Sequence, residues 1–143
     1  MTLMTDLSLT TRRTIAAPAM RIYQAWLDPA FAGRFLTASA DRPALKVEID
    51  ARVGGRFLIV MPSGADEVPH SGEYLELVPG RKIVFTWNSR HVNPGTTVTV
   101  TFEERDGITE VVLTHEKFAE ERSRDGHRKG WDLILDNLVR EIA

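Results

Sequence analysis

Trp131, Ile134, Leu135, Leu138, Val139 and Ile142 recur at i, i+3, i+4, i+7, i+8 and i+11 near the C-terminus. That spacing puts a single apolar stripe along one long helix, and such a stripe has to be covered by something. Asp132, Asp136, Asn137, Arg140 and Glu141 fall largely off it, with Asp136 and Arg140 four apart as a favourable surface pair. Begun near Ser123, the helix would be about 30 Å long. Before it, the hydropathy period drops to two. Lys46 to Ile49, Arg56 to Met61, His70 to Val78, Lys82 to Trp87, Thr96 to Phe102 and Ile108 to His115 each read as strands. Val53-Gly54-Gly55, Pro79-Gly80, Asn93-Pro94-Gly95 and Asp106-Gly107 read as turns, and Pro62-Ser63-Gly64-Ala65-Asp66 as a loop. Strands joined by connections this short pair antiparallel.

The N-terminal third supplies the remaining pieces. Leu7 to Ile15 is Thr-rich and weakly alternating, hence a strand. Ala17-Pro18 stops it and opens a helix carrying Met20, Tyr23 and Leu27 on one face. Asp28-Pro29 ends that helix and caps a second, roughly Ala30 to Phe35. The fold class that follows is α+β. A curved antiparallel sheet of about seven strands wraps on a long C-terminal helix, with two short helices after the first strand. At 143 residues the expectation is one domain spanning 1–143. A formal charge of −2 gives no global field for nucleic acid, and zero cysteines remove disulfides and thiolate chemistry. No apolar run is long enough to span a membrane, and Met1 to Asp6 lacks a signal-peptide pattern, so the chain reads as cytoplasmic.

Alternation assigns the faces. Phe57, Ile59 and Met61, then Ile83, Phe85 and Trp87, then Val98, Val100 and Phe102, then Val111, Leu113 and His115 point one way. Thr97, Thr99 and Thr101 point the other way and tolerate water. So large an inner set on a strongly curved sheet is not always filled by one helix, and a residual cavity is a natural ligand site.

Several strings carry a family resemblance. They are Ala25-Trp26-Leu27-Asp28-Pro29, Arg34-Phe35-Leu36, Val53-Gly54-Gly55-Arg56-Phe57, Gly72-Glu73-Tyr74-Leu75-Glu76-Leu77-Val78-Pro79 and Ile83-Val84-Phe85-Thr86-Trp87. The last is Gly130-Trp131 followed by Leu135 and Leu138. In order and spacing the chain resembles the START/Bet v 1-like helix-grip superfamily (SRPBCC). Within it, the chain is similar to the activator of heat-shock protein 90 ATPase homologue-1-like family. It departs in having Phe35 where that family usually shows Trp, and Gly126 early in the final helix. The resemblance implies the helix-grip fold. It implies function only loosely, since binders, cyclases, hydrolases and co-chaperones share this scaffold.

The expected cavity draws its aromatic lining from Trp26, Phe35, Phe57, Phe85, Trp87, Phe102 and Trp131, with Ile59, Met61, Val100, Leu113 and Leu135 between them. His115 and His127 add titratable groups, a pair able to bind a metal or move protons, against the plainer reading of a half-buried His115 and a solvent-edge His127. His70 and His91 fall in or near loops. Tyr74 and Glu76 share one face of their strand, and Leu75 and Leu77 the other; the pattern leaves open which set points inward. Gly130 inside a helix suggests close packing or a ligand. Gly126 to Gly130 lacks the lysine–hydroxyl ending of a phosphate loop, and no nucleophile stands beside a base.

The leading expectation is non-catalytic binding of a hydrophobic or amphipathic small molecule between sheet and final helix, with no cofactor and no metal. A chaperone ATPase-activator role is the first alternative. Against it, the eponymous activator carries an additional N-terminal domain, whereas this sequence reads as one domain. A cavity-based hydrolase or cyclase using His115, Glu76 or Tyr74 is the second. The Thr-rich face and sheet edges could also pair two copies of the chain.

Overall fold

Alternating β-branched residues and tight turns produce seven strands, and the computed structural model describes residues 7–39 and 41–142. The reading of Met1 to Asp6 lies outside the described residues. Strand β1 (Leu7–Ile15) leads to helices α1 (Ala19–Leu27) and α2 (Pro29–Phe35). Strands β2 (Lys46–Ile49), β3 (Arg56–Ser63), β4 (Asp66–Val78), β5 (Lys82–Thr86), β6 (Thr97–Arg105) and β7 (Ile108–Phe118) follow, then helix α3 (Glu121–Ile142). The sheet order is β1-β7-β6-β5-β4-β3-β2, with every neighbouring pair antiparallel. This is the helix-grip architecture expected above.

Local chemistry explains the junctions. The Asp28 side chain accepts the Ala30 N–H at 3.0 Å and Pro29 occupies the first helical position, so α2 starts where the sequence says it should. Asp106 and Gly107 both adopt the left-handed conformation (φ 56° and 78°), which makes β6 and β7 a tight hairpin. On α1 the buried face is Ala19, Ile22, Tyr23, Ala25 and Trp26, while Met20 is exposed, a correction to the Met20–Tyr23–Leu27 face.

Two further corrections concern the middle of the sheet. The stretch from Pro62 to Asp66 is not a loop: Ser63 pairs with Asp66 around Gly64, whose φ is 61°. Pro62 is tolerated because it lies past the end of β2. The Val60 carbonyl already faces that side, accepting the Leu45 N–H, and Pro62 two residues on has no strand beyond it to bond. On β4, Tyr74 pairs with Phe85 and Glu76 with the adjacent Val84, so Leu75 is an extra residue. This bulge breaks the alternation. Tyr74 is buried, whereas Leu75 and Glu76 are both exposed.

The core is one contiguous cluster between the concave face and the helices. Trp131, Ile134, Leu135, Leu138 and Ile142 of α3 enter it, together with eleven of the twelve inward-facing residues named above, and His115 is buried beside them. Asn137, read from sequence as off the stripe, is fully buried: its Nδ2 donates to the carbonyls of Thr37 at 3.1 Å and Ser39 at 3.3 Å. Arg13 of β1 meets Asp136 at 2.8 Å, fixing α3 across the open side of the sheet.

Candidate functional site

Helix α3 is not uniformly seated. Its C-terminal half carries Leu135, Leu138 and Ile142 into the core. Its N-terminal half presents Ser123, Gly126, His127 and Gly130 on the same side, and two of these have no side chain. A Cβ added at Gly126 would meet nothing within 4 Å, and one at Gly130 only the Ala38 Cβ at 4.0 Å. The helix therefore stands off the sheet here. The gap is a partly open cavity of about 400 Å³. Gly130 borders this space instead of admitting a close neighbour.

Opposite the helix, the wall is Met61 of β3, His70 of β4 and Trp87 just after β5. Trp131 and Ile134, both buried, line it from α3. Glu120, Arg122 and His91 stand at the rim, both signs of charge exposed to water. The Ser123 hydroxyl donates to the His91 carbonyl at 2.8 Å and ties the rim loop to the helix.

The sequence-predicted lining divides sharply. Met61, Trp87, His127 and Trp131 border the cavity. Trp26, Phe35, Phe57, Ile59, Tyr74 and Phe85 pack at the other end of the core, where the remaining gap is only about 10 Å³. Trp26 meets Phe35 edge-on at 5.1 Å, and Phe57 meets Phe85 edge-on at 5.3 Å. Val100, Phe102, Leu113 and Leu135 are plain core. Glu76 is outside altogether, 3.1 Å from Lys82 Nζ, because of the β4 bulge.

The histidines are the polar element of the site. His115 is fully buried and accepts the Trp131 Nε1–H at Nδ1, 3.0 Å away. Its ring lies against Phe118 at 4.2 Å and edge-on to His127 at 5.2 Å. Burial, with the neighbouring His127, drives its pKa down to about 3. His127 is half-buried, with Nδ1 2.7 Å from the Ser123 carbonyl, and burial lowers its pKa too. His70, buried in β4 and stacked on Trp87 at 5.0 Å, is pushed down to about 4, again chiefly by burial. All three rings are neutral at neutral pH. Among the described residues no group of three His, Asp or Glu side chains gathers to hold a metal.

His70 is the residue the sequence reading missed. Alternation counted back from Tyr74 through Gly72 reaches His70 and Val68, all buried. Read from sequence, this strand begins at His70, beside a loop, so the residue is assigned no face. Trp87 Nε1 and His70 Nδ1 are buried with no hydrogen-bond partner in the protein and are sealed from the cavity that their rings border.

The comparisons agree on the frame. The family described as "Activator of Hsp90 ATPase homolog 1-like protein" matches residues 16–143. Among solved structures, a Chromobacterium violaceum protein is similar at 25% identity and a TM-score of 0.80, covering 93% of this chain and 94% of that one. A Staphylococcus aureus protein described as of unknown function reaches a TM-score of 0.81 at 19% identity, covering 96% and 94%. CalU16 of Micromonospora echinospora reaches 0.73 at 24% identity, covering 95% and 76%. No curated protein matches the chain.

Proposed function

Because the chain belongs to the Activator of Hsp90 ATPase homolog 1-like family, we propose that it uses the cavity under its last helix to bind a small apolar or amphipathic molecule without transforming it. The observation that carries this reading is the space itself, about 400 Å³ held open by Gly126 and Gly130 between walls of Trp87, Trp131, Met61 and Ile134. Pockets of this size and character suit small ligands. Burying about 300 Å² of apolar ligand surface is worth roughly 7 kcal/mol gross, before association costs. Micromolar affinity then requires walls already in place, and the stacked, buried rings of Trp87 and His70 support that condition.

A binding role is favoured over catalysis by the state of the polar groups. Of the carboxylates, Glu76 is paired with Lys82 outside the core, and Glu120 stands in water at the cavity rim. Tyr74 is held protonated by burial, and neither His70 nor His115 has a carboxylate partner to raise its basicity. The family's description also names activation of the Hsp90 ATPase; it supports a second reading on the name alone. An unchanged chaperone ATPase rate at saturating protein removes that reading.

The test of the first uses 1-anilinonaphthalene-8-sulfonate. The wild type is expected to enhance its fluorescence saturably and to gain thermal stability. Gly130→Leu, which sends a side chain into the cavity, is expected to lose both while remaining folded. Equal dye binding by Gly130→Leu and the wild type would overturn the assignment.

A further inference from the structure

The protonation pattern of the rings around the cavity constrains its occupant, an inference that rests on the binding role just proposed. An indole N–H only donates. Trp131 Nε1 gives its proton to His115 Nδ1, so neutral His115 carries its own proton on Nε2. A carbonyl only accepts. The Ser123 carbonyl lies 2.7 Å from His127 Nδ1, so neutral His127 carries its proton there. His127 Nε2 is then a lone pair. His127 borders the cavity, and its Nε2 has no protein partner among the described residues, yet it is not sealed inside the protein as His115 Nε2 is. On the opposite wall the Trp87 N–H has no protein acceptor but is sealed inside the protein, as His115 Nε2 is, so Trp87 offers the cavity its ring and not its donor.

A wall offering a ring-nitrogen acceptor fits a group that donates a hydrogen bond. A hydroxyl does so; a carboxylate does not, because its oxygens would face the His127 lone pair. The cationic alternative, Arg122, is exposed at the rim beside Glu120, where water and salt screen it. The rings of Trp87 and Trp131, with centroids 4.8 Å apart, favour a flat aromatic body. We propose that the cavity selects an uncharged aromatic molecule bearing a hydroxyl, whose O–H donates to His127 Nε2 while its ring packs against Trp87, Trp131 and Met61.

The experiment compares 2-naphthol, 2-methoxynaphthalene and 2-naphthoate by calorimetry against the wild type and His127→Phe. The methyl ether keeps the rings and the oxygen but cannot donate. In the wild type 2-naphthol is expected to bind most tightly. In His127→Phe its advantage over the methyl ether is expected to shrink about threefold to tenfold, the worth of one hydrogen bond. In the wild type, 2-naphthol is also expected to shift the ¹⁵N resonance of His127 Nε2, a readout that needs no variant. An unchanged naphthol preference in His127→Phe, an unmoved Nε2 resonance, or tightest binding of 2-naphthoate overturns the hydroxyl assignment and leaves the binding role standing. Binding of none of the three to the wild type removes both.

Discussion

Individual side chains in this protein are placed by rules that sequence states well until the backbone slips. Period-two alternation located the inward residues it named between Phe57 and His115, because regular ladders keep the pleat in phase. It could not place Glu76, since one extra residue at Leu75 reverses the phase and hydropathy carries no mark of it. Buried neutral histidines give acid sensitivity with a definite sign. In the unfolded chain each imidazole takes a proton near pH 6.5; in the native fold His70 does so only near 4 and His115 only near 3. Between those limits the unfolded chain holds more protons, so acid favours it. Stability is expected to be level above about pH 6.5 and to fall below it, each histidine adding up to about 1.4 kcal/mol per pH unit. Urea denaturation at stepped pH checks this, and His115→Gln or His70→Gln should flatten the slope. Gly72 is constrained in a different way: a Cβ there would lie 1.9 Å from the Thr86 carbonyl oxygen and 2.6 Å from the Phe57 ring. Gly72→Ala is expected to cost about 3 kcal/mol, read as a lowered urea midpoint.

Helix α3 shows what a stripe pattern conveys and what it omits. Its apolar positions were legible, and so was its extent to within a turn. The gap under its first half was not, because glycine has no hydropathy and an unfilled position looks like a tightly filled one. The two glycines separate in their effects. Gly126 faces open space, so Gly126→Ala is expected to raise stability by up to about 1 kcal/mol through helix propensity and to weaken dye binding less than Gly130→Leu does. Equilibrium unfolding alongside dye titration checks both halves of that statement. Asn137 is the polar exception on the stripe. Its amide holds the carbonyls of Thr37 and Ser39, so α3 carries the connection after α2 with it. Asn137→Leu leaves those carbonyls without this donor and is expected to destabilise by about 2 kcal/mol. Polarity concealed this residue, since a buried amide and a surface amide read alike in one dimension.

At the scale of the whole molecule, the interior divides into a solid end and an open end, with Trp87 and Trp131 at the boundary. Trp26, Phe35, Phe57 and Tyr74 fill the first, leaving about 10 Å³. The second is spanned by the Gly-bearing half of α3 and tied by contacts that include the Ser123–His91, Trp131–His115 and Arg128–Thr10 bonds. The order of elements was readable because strand and helix periods differ. The position of the void was not, because it depends on how far a curved sheet diverges from a straight helix, which no local pattern records. This asymmetry localises the response to a ligand. A ligand present at a hundred times its Kd adds about 2.7 kcal/mol to stability, or roughly 8 °C in Tm for a chain of this size. Local opening responds most where few buried contacts hold the backbone. Hydrogen exchange with saturating 2-naphthol is therefore expected to slow in residues 120–131 and 88–96, and to change little around Trp26 and Phe35. Protection that rises equally in both ends would mean the ligand stabilises the fold without residing under α3, and the cavity would lose its claim as the binding site.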